Sequence, residues 1–140
     1  MFDFYQIEPV AKPRQTQRDK WAKRPAVLRY RAFCDEVRLR NVHIPFAECR
    51  VIFLVQMPES WSKKRKAEMD LTPHLQRPDL DNFIKAINDA QFGDDSMVWD
   101  MRGTKLWSTK PGIVVSSTAQ DASALAPSIL KQIINLRDFV

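Results

Sequence analysis

Asp79 and Asp81 bracket a single leucine, Lys85 follows Asp81 by four residues, and Asp94-Asp95 arrives directly after Gly93. These carboxylates crowd residues 77–98 of a chain whose formal net charge is +5. Hard cations such as Mg²⁺ or Mn²⁺ take oxygen ligands and keep several waters and substrate phosphate oxygens in their shell, and such a cluster supplies the protein's share of that shell. Pro78 biases Arg77 towards extended backbone, where alternate side chains point to one side. Asp79 and Asp81 therefore face one ion if Asp79 precedes a helix and Asp81 lies in its first residues. A carboxylate there also complements the helix dipole. Lys85 lies one turn on, on the face of Asp81, and Asp94 or Asp95, brought back by the turn at Gly93, completes the ligand set. An ion so held polarises a phosphate, activates a water and stabilises a departing 3′ oxygen, while the ammonium neutralises charge growing on the phosphoryl group. Taken singly, each part has a plainer role: a solvated Asp-x-Asp, an i,i+4 ion pair, a turn after glycine. Their ordered combination favours the metal site.

The elements that must position these residues follow from periodicity. Residues 2–9 read as a strand, and residues 11–24, basic and proline-containing, as a loop or mobile arm. Val27, Tyr30, Phe33, Cys34 and Val37 recur at helical spacing and predict a helix over residues 26–39 with one buried face. Residues 49–57, rich in Val, Ile and Phe, predict a central strand buried on both sides and ended by Pro58. A short helix is expected over 62–69, stopped before Pro73 and Pro78. Leu80, Phe83, Ile84, Ile87 and Ala90 predict a second amphipathic helix closed by Gly93. Residues 96–101 and 113–116 read as strands, 105–108 as a possible third, and 129–136 as a terminal helix. The fold class expected is α/β in the mixed α+β sense, one domain with a central mixed sheet packed with helices. Its boundaries are 1–117, with 118–140 as a C-terminal tail of the same domain.

At 140 residues and 44% hydrophobic content the chain can bury a core without crosslinks. Cys34 and Cys49 have neither metal-ligand spacing nor a partner motif, so reduced thiols and no zinc site are expected. With neither a signal-peptide pattern nor a membrane-length apolar run, the expectation is a soluble, cytoplasmic chain that does not contact membranes. The 22 Lys and Arg against 17 acidic residues matter through their clustering. Lys12, Arg14, Arg18 and Lys20, then Lys63, Lys64, Arg65 and Lys66, and Arg77 beside the carboxylates are the candidate phosphate contacts. Trp21 and Trp61 are candidate stacking platforms for bases. Trp99 and Trp107 are expected in the core or on a sheet face.

The ordered run Pro-Asp-Leu-Asp-Asn-x-x-Lys-Ala followed by Asp-Asp-Ser-x-Val resembles the RusA family of Holliday-junction resolvases, small endodeoxyribonucleases often carried by phages and prophages. Looser likeness lies in Glu8-Pro9-Val10-Ala11-Lys12-Pro13-Arg14, Lys105-x-Trp107 and Pro111-Gly112-Ile113, so that most of residues 2–117 is covered. The resemblance implies Asp79, Asp81 and Asp95 as metal-binding carboxylates and Lys85 as the catalytic lysine; of the adjacent pair Asp95 is favoured as the ligand and Asp94 is kept as an outer candidate. It further implies Mg²⁺ dependence, with Mn²⁺ as a substitute, a homodimer, and paired nicks across branched DNA in recombination and repair. Two other functions fit the residues: a non-catalytic DNA-binding protein whose aspartates cap a helix, and another metal-dependent phosphodiesterase acting on flap DNA or RNA.

Overall fold

The computed structural model describes residues 2–13, 24–45, 47–92, 95–117, 131, 134 and 135, with backbone alone for Phe2, Phe92, Asp95 and Ser117. Strand β1 (Phe2–Tyr5) is followed by an irregular strap over residues 6–13, and the next elements are helix α1 (Pro25–Leu39), strand β2 (Cys49–Gln56) and the short helix α2 (Lys63–Met69). Helix α3 (Leu80–Phe92), a 3₁₀ turn at Asp95–Met97, and strands β3 (Met101–Ser108) and β4 (Gly112–Ser117) follow. The four strands form one mixed sheet in the order β1-β4-β2-β3, parallel only between β2 and β3. This is a mixed α+β architecture with helices on a central sheet.

Strand β2 is interior because its residues are apolar on both faces: Val51, Ile52, Phe53 and Leu54 are all buried. One face meets α1 and α3, where Phe33, Val37, Phe83, Ala86, Ile87 and Ala90 form a continuous cluster with Val51, Phe53 and Ile113. Each large apolar side chain so buried contributes roughly 1.5–3 kcal/mol. The rings of Phe53 and Phe83 stack at 5.4 Å, pinning α3 to the strand. The opposite face carries Ile52, Leu54 and Val114 against Leu71 and Ile134. Every residue that sets the α1 periodicity is buried. Proline at the first helical position suits α1, because the amide it lacks has no partner there. Ser62 caps α2 by accepting a hydrogen bond from Arg65 N at 3.1 Å.

Three expectations change. Residues 96–101 are not a strand: a 3₁₀ turn ends at Met97 and only Met101 of them is extended, while the strand expected at 105–108 begins earlier, at Met101, and runs to Ser108. Trp99, placed by its neighbours in a core or sheet, is 76% exposed, whereas Trp107 is buried. The initial strand stops at Tyr5, after which the chain leaves the sheet. The arm over 14–23, Gly93, and the terminal helix apart from residues 131, 134 and 135 lie outside the described residues. Both cysteines are free and buried, and burial raises the pKa of each, Cys49 to about 11, so both are protonated thiols.

Candidate active site

The site is built at the entrance to α3. After α2, residues 71–74 run antiparallel along the outer edge of β3: Leu71 N donates to Trp107 O at 2.7 Å, Trp107 N to Thr72 O at 2.9 Å and His74 N to Lys105 O at 3.1 Å. Leu71 takes a positive φ of 60°, strained for a residue of this bulk, and its side chain is buried in the cluster beneath the sheet. The imidazole of His74 is buried between Trp107, at 4.2 Å, and the edge of Phe83. Burial, and next the charge of Lys105, lower its pKa and keep it neutral. Beyond His74 the chain turns outward, with Leu75 87% exposed, and the Lys105 ammonium donates to Gln76 O at 2.6 Å and Pro78 O at 2.8 Å. The Arg77-Pro78 bond is cis.

Asp79 then precedes the first helical residue, and Asn82 N donates to its carbonyl at 3.1 Å. Asp81 lies in the first turn. Both side chains are exposed. Among the described residues neither carboxylate enters an ion pair or a capping hydrogen bond. The interior side of this turn explains its position: Leu80 and Ile84 lie against Gly103 of β3, where a Cβ would come within 2.6 Å of Ile84 Cδ1. The glycine lets α3 approach the strand closely.

Lys85 stands one turn further along and is exposed. Its ammonium lies 3.5 Å from Asp89 Oδ1, the next residue at i+4 spacing. The other oxygen of Asp89 takes Lys12 at 2.5 Å. Lys12 N also donates to Asn82 O at 3.1 Å, so the strap is fastened to α3 by both backbone and side chain. Asp89 escaped the sequence reading, although its i+4 relation to Lys85 was a usable signal. The sequence shows Lys105 in Lys105-x-Trp107 without a role, because its partners are carbonyls of residues far away in sequence.

Of the candidate phosphate contacts, Lys63, Lys64, Arg65 and Arg77 are exposed and Lys66 is half-buried. Arg14, Arg18 and Lys20, with Trp21, lie outside the described residues, and Lys12 is paired with Asp89. Trp61 is engaged rather than free: it packs on Trp107 at 4.9 Å and carries the Arg65 guanidinium 4.0 Å above its ring. No metal-binding group of three His, Cys, Asp or Glu side chains is assembled among the described residues. Asp94 and the side chain of Asp95 lie outside them. Asp79 and Asp81 are hard oxygen donors, open to water and not consumed in pairing, and so fit a cation that retains part of its water shell.

A mixed α+β domain with two exposed carboxylates at a helix entrance and a lysine one turn beyond is thus the class of protein that fold and site define. Residues 6–117 match the family model described as Endodeoxyribonuclease RusA, and the chain belongs to that family. It is also similar to the "Uncharacterized protein YqaN" of Bacillus subtilis (strain 168), 39% identical over 67 residues, covering 42% of this chain and 47% of the relative. The chain thus spans about half the length of that relative. No solved structure gives a significant match. No helix among the described residues is long and apolar enough to cross a membrane.

Proposed function

We propose that the protein is a homodimeric, Mg²⁺-dependent endodeoxyribonuclease that resolves four-way DNA junctions by paired phosphodiester cleavage. The carrying observation is that the Asp79 and Asp81 carboxylates are exposed and engaged neither in capping nor in ion pairing among the described residues. This weighs against the non-catalytic alternative, in which they cap the helix. Family membership over residues 6–117 supports the substrate class.

In this reading Asp79 and Asp81 hold the cation together with Asp95, and Asp94 stands outside them. When bound, such an ion supplies polarisation of the scissile phosphate, acidification of a water and neutralisation of the departing 3′ oxygen. Mn²⁺, with the same preference for oxygen, substitutes. The Lys85 ammonium donates hydrogen bonds to non-bridging phosphate oxygens as charge accumulates there. Asp89 orients that ammonium. The Asp89 carboxylate is shared between Lys85 and Lys12.

Arg77, beside the carboxylates, and Lys63, Lys64, Arg65 and Lys66 on α2 contact phosphates, as do Arg14, Arg18 and Lys20 of the basic arm; Lys12 contributes through the strap it anchors. Two cuts related by the symmetry of the junction require two sites related by a two-fold axis, which a C₂ dimer provides. The same reading assigns the protein to recombination and repair in the cytoplasm of a bacterial or phage-infected cell.

The test is cleavage of a synthetic four-way junction by the full chain with Mg²⁺, beside linear duplex, flap DNA and single-stranded RNA. Paired nicks confined to the junction, absent in EDTA and in Asp81→Asn, are expected. Binding without cleavage returns the protein to the non-catalytic class, and preferred cleavage of flap or RNA moves it to another phosphodiesterase. Sedimentation as a monomer both free and on the junction refutes the dimer.

A further inference from the structure

The chain entering the site is fastened at two points separated by an unsupported stretch. The last ladder bond along β3 is made by His74 N, and the first bond of α3 reaches Asp79 O. Residues 75–78 between them are exposed. Among the described residues no backbone-to-backbone hydrogen bond holds that stretch. What ties it to the body is one side chain, Lys105, whose ammonium bonds the carbonyls of Gln76 and Pro78 at 2.6 and 2.8 Å. Charge-assisted bonds of this length are among the stronger ones available to a surface group. No carboxylate pairs with Lys105 among the described residues, so the ammonium is not neutralised there. Its stem rises from β3, which is held along its whole length by parallel pairing with β2.

We infer that Lys105 is a positioning residue: by gripping the two carbonyls it fixes the peptide that delivers Asp79, and so sets where that carboxylate meets the cation. The inference rests on the reading of Asp79 and Asp81 as cation ligands. Lys105 acts through the backbone of residues 76–78 and not on the reacting phosphate. Its loss therefore weakens the metal site while leaving the fold and metal-free DNA binding in place.

The experiment is titration of the full chain with Mn²⁺, free ion being read by electron paramagnetic resonance, for the wild type, Lys105→Met and Lys105→Arg. Supports behind a metal ligand typically matter by about tenfold or more in metal affinity. A loss of about that size is expected in Lys105→Met, with an unchanged far-UV circular dichroism spectrum and unchanged junction affinity in EDTA. Lys105→Arg, whose planar fork can donate to two carbonyls, is expected to bind Mn²⁺ nearly as the wild type does. Mn²⁺ affinity in Lys105→Met equal to wild type overturns the inference, as does an equal loss in Lys105→Arg. Unchanged Mn²⁺ binding with weakened junction binding also overturns it, making Lys105 a phosphate contact. A wild-type chain that takes up no Mn²⁺ removes the ligand reading beneath it, a result distinct from an indifferent Lys105→Met.

Discussion

Asp89 holds two lysines with unequal grips, and the inequality can be measured. Lys12 lies 2.5 Å from one carboxylate oxygen with side chains 30% and 14% exposed, while Lys85 lies 3.5 Å from the other and is itself 46% exposed. At an effective dielectric near 20, the Coulomb energy of the shorter contact is about 7 kcal/mol before costs. Desolvation and the roughly 2 kcal/mol of side-chain entropy of a lysine remove most of that, leaving a coupling of about 1–2 kcal/mol. The longer, more solvated contact is an exposed i,i+4 pair, for which about 0.3–0.5 kcal/mol is usual. Double-mutant cycles with Lys12→Met, Lys85→Met and Asp89→Asn, read by urea denaturation in low salt, separate the two. The Lys12 coupling should exceed the Lys85 coupling at least about twofold and survive salt better, since exposed charges are screened first. Equal couplings, or a Lys12 coupling below about 0.5 kcal/mol, would show that the strap is held by its backbone bond and apolar contacts, and would refute this division of labour.

Three further outcomes are expected. Gly103→Ala should cost little, because Ile84 Cδ1 at 2.6 Å is the end of a side chain that can turn aside; Gly103→Val should cost about 1–3 kcal/mol in denaturant melts and lower cleavage by displacing the first turn of α3. If the two variants melt alike, the close approach is not what positions the helix. The pKa of His74 is lowered from its ordinary 6.5 in the fold, so the unfolded chain takes up the proton first. Its contribution to stability is present above that value and is lost as the pH falls below it. Melting temperatures from pH 7 down to 5 should therefore fall less steeply in His74→Phe than in the wild type, and parallel slopes would contradict the assignment. Replacing Lys63, Lys64, Arg65 and Lys66 together by glutamine should weaken junction binding and flatten its dependence on salt, through fewer counterions released; a binding isotherm series showing the same slope as wild type would remove α2 from the DNA surface.

The elements most legible in sequence were those whose apolar residues repeat within one segment. The period through Val27, Tyr30, Phe33, Cys34 and Val37 locates α1, and the uninterrupted run in β2 marks an interior strand. The placement of Asp79 before α3 and of Asp81 in its first turn also follows from local chemistry, proline before and apolar period after. What was not legible depends on pairing across the chain. Gly103 breaks the apolar pattern before Lys105, yet it is the position at which β3 admits α3, so the first residues of that strand are missed. The apolar residues 97–99 imitate a strand, while Met97 closes a 3₁₀ turn and Trp99 faces solvent. The order β1-β4-β2-β3, with its single parallel pair, is decided by contacts no local pattern records.

The antiparallel pairing of residues 71–74 with β3 has a consequence for how the protein loses its site. That pairing is the outermost layer of the sheet, secured by three backbone bonds, two of which make the bridge between Pro73 and Leu106, whereas β2 and β4 are paired on both sides. Layers of this kind open by local fluctuation at a fraction of the global unfolding free energy. The chain leading to Asp79 leaves that layer at His74, so peeling it back frees the approach to Asp79 while Asp81, on a helix pinned to β2 by Phe83, and the interior strands stay in place. Amide exchange at Leu71, His74 and Trp107 should then report the same opening that frees the approach to Asp79, and under the proposed function cation affinity becomes a readout of the sheet's margin, not of its centre.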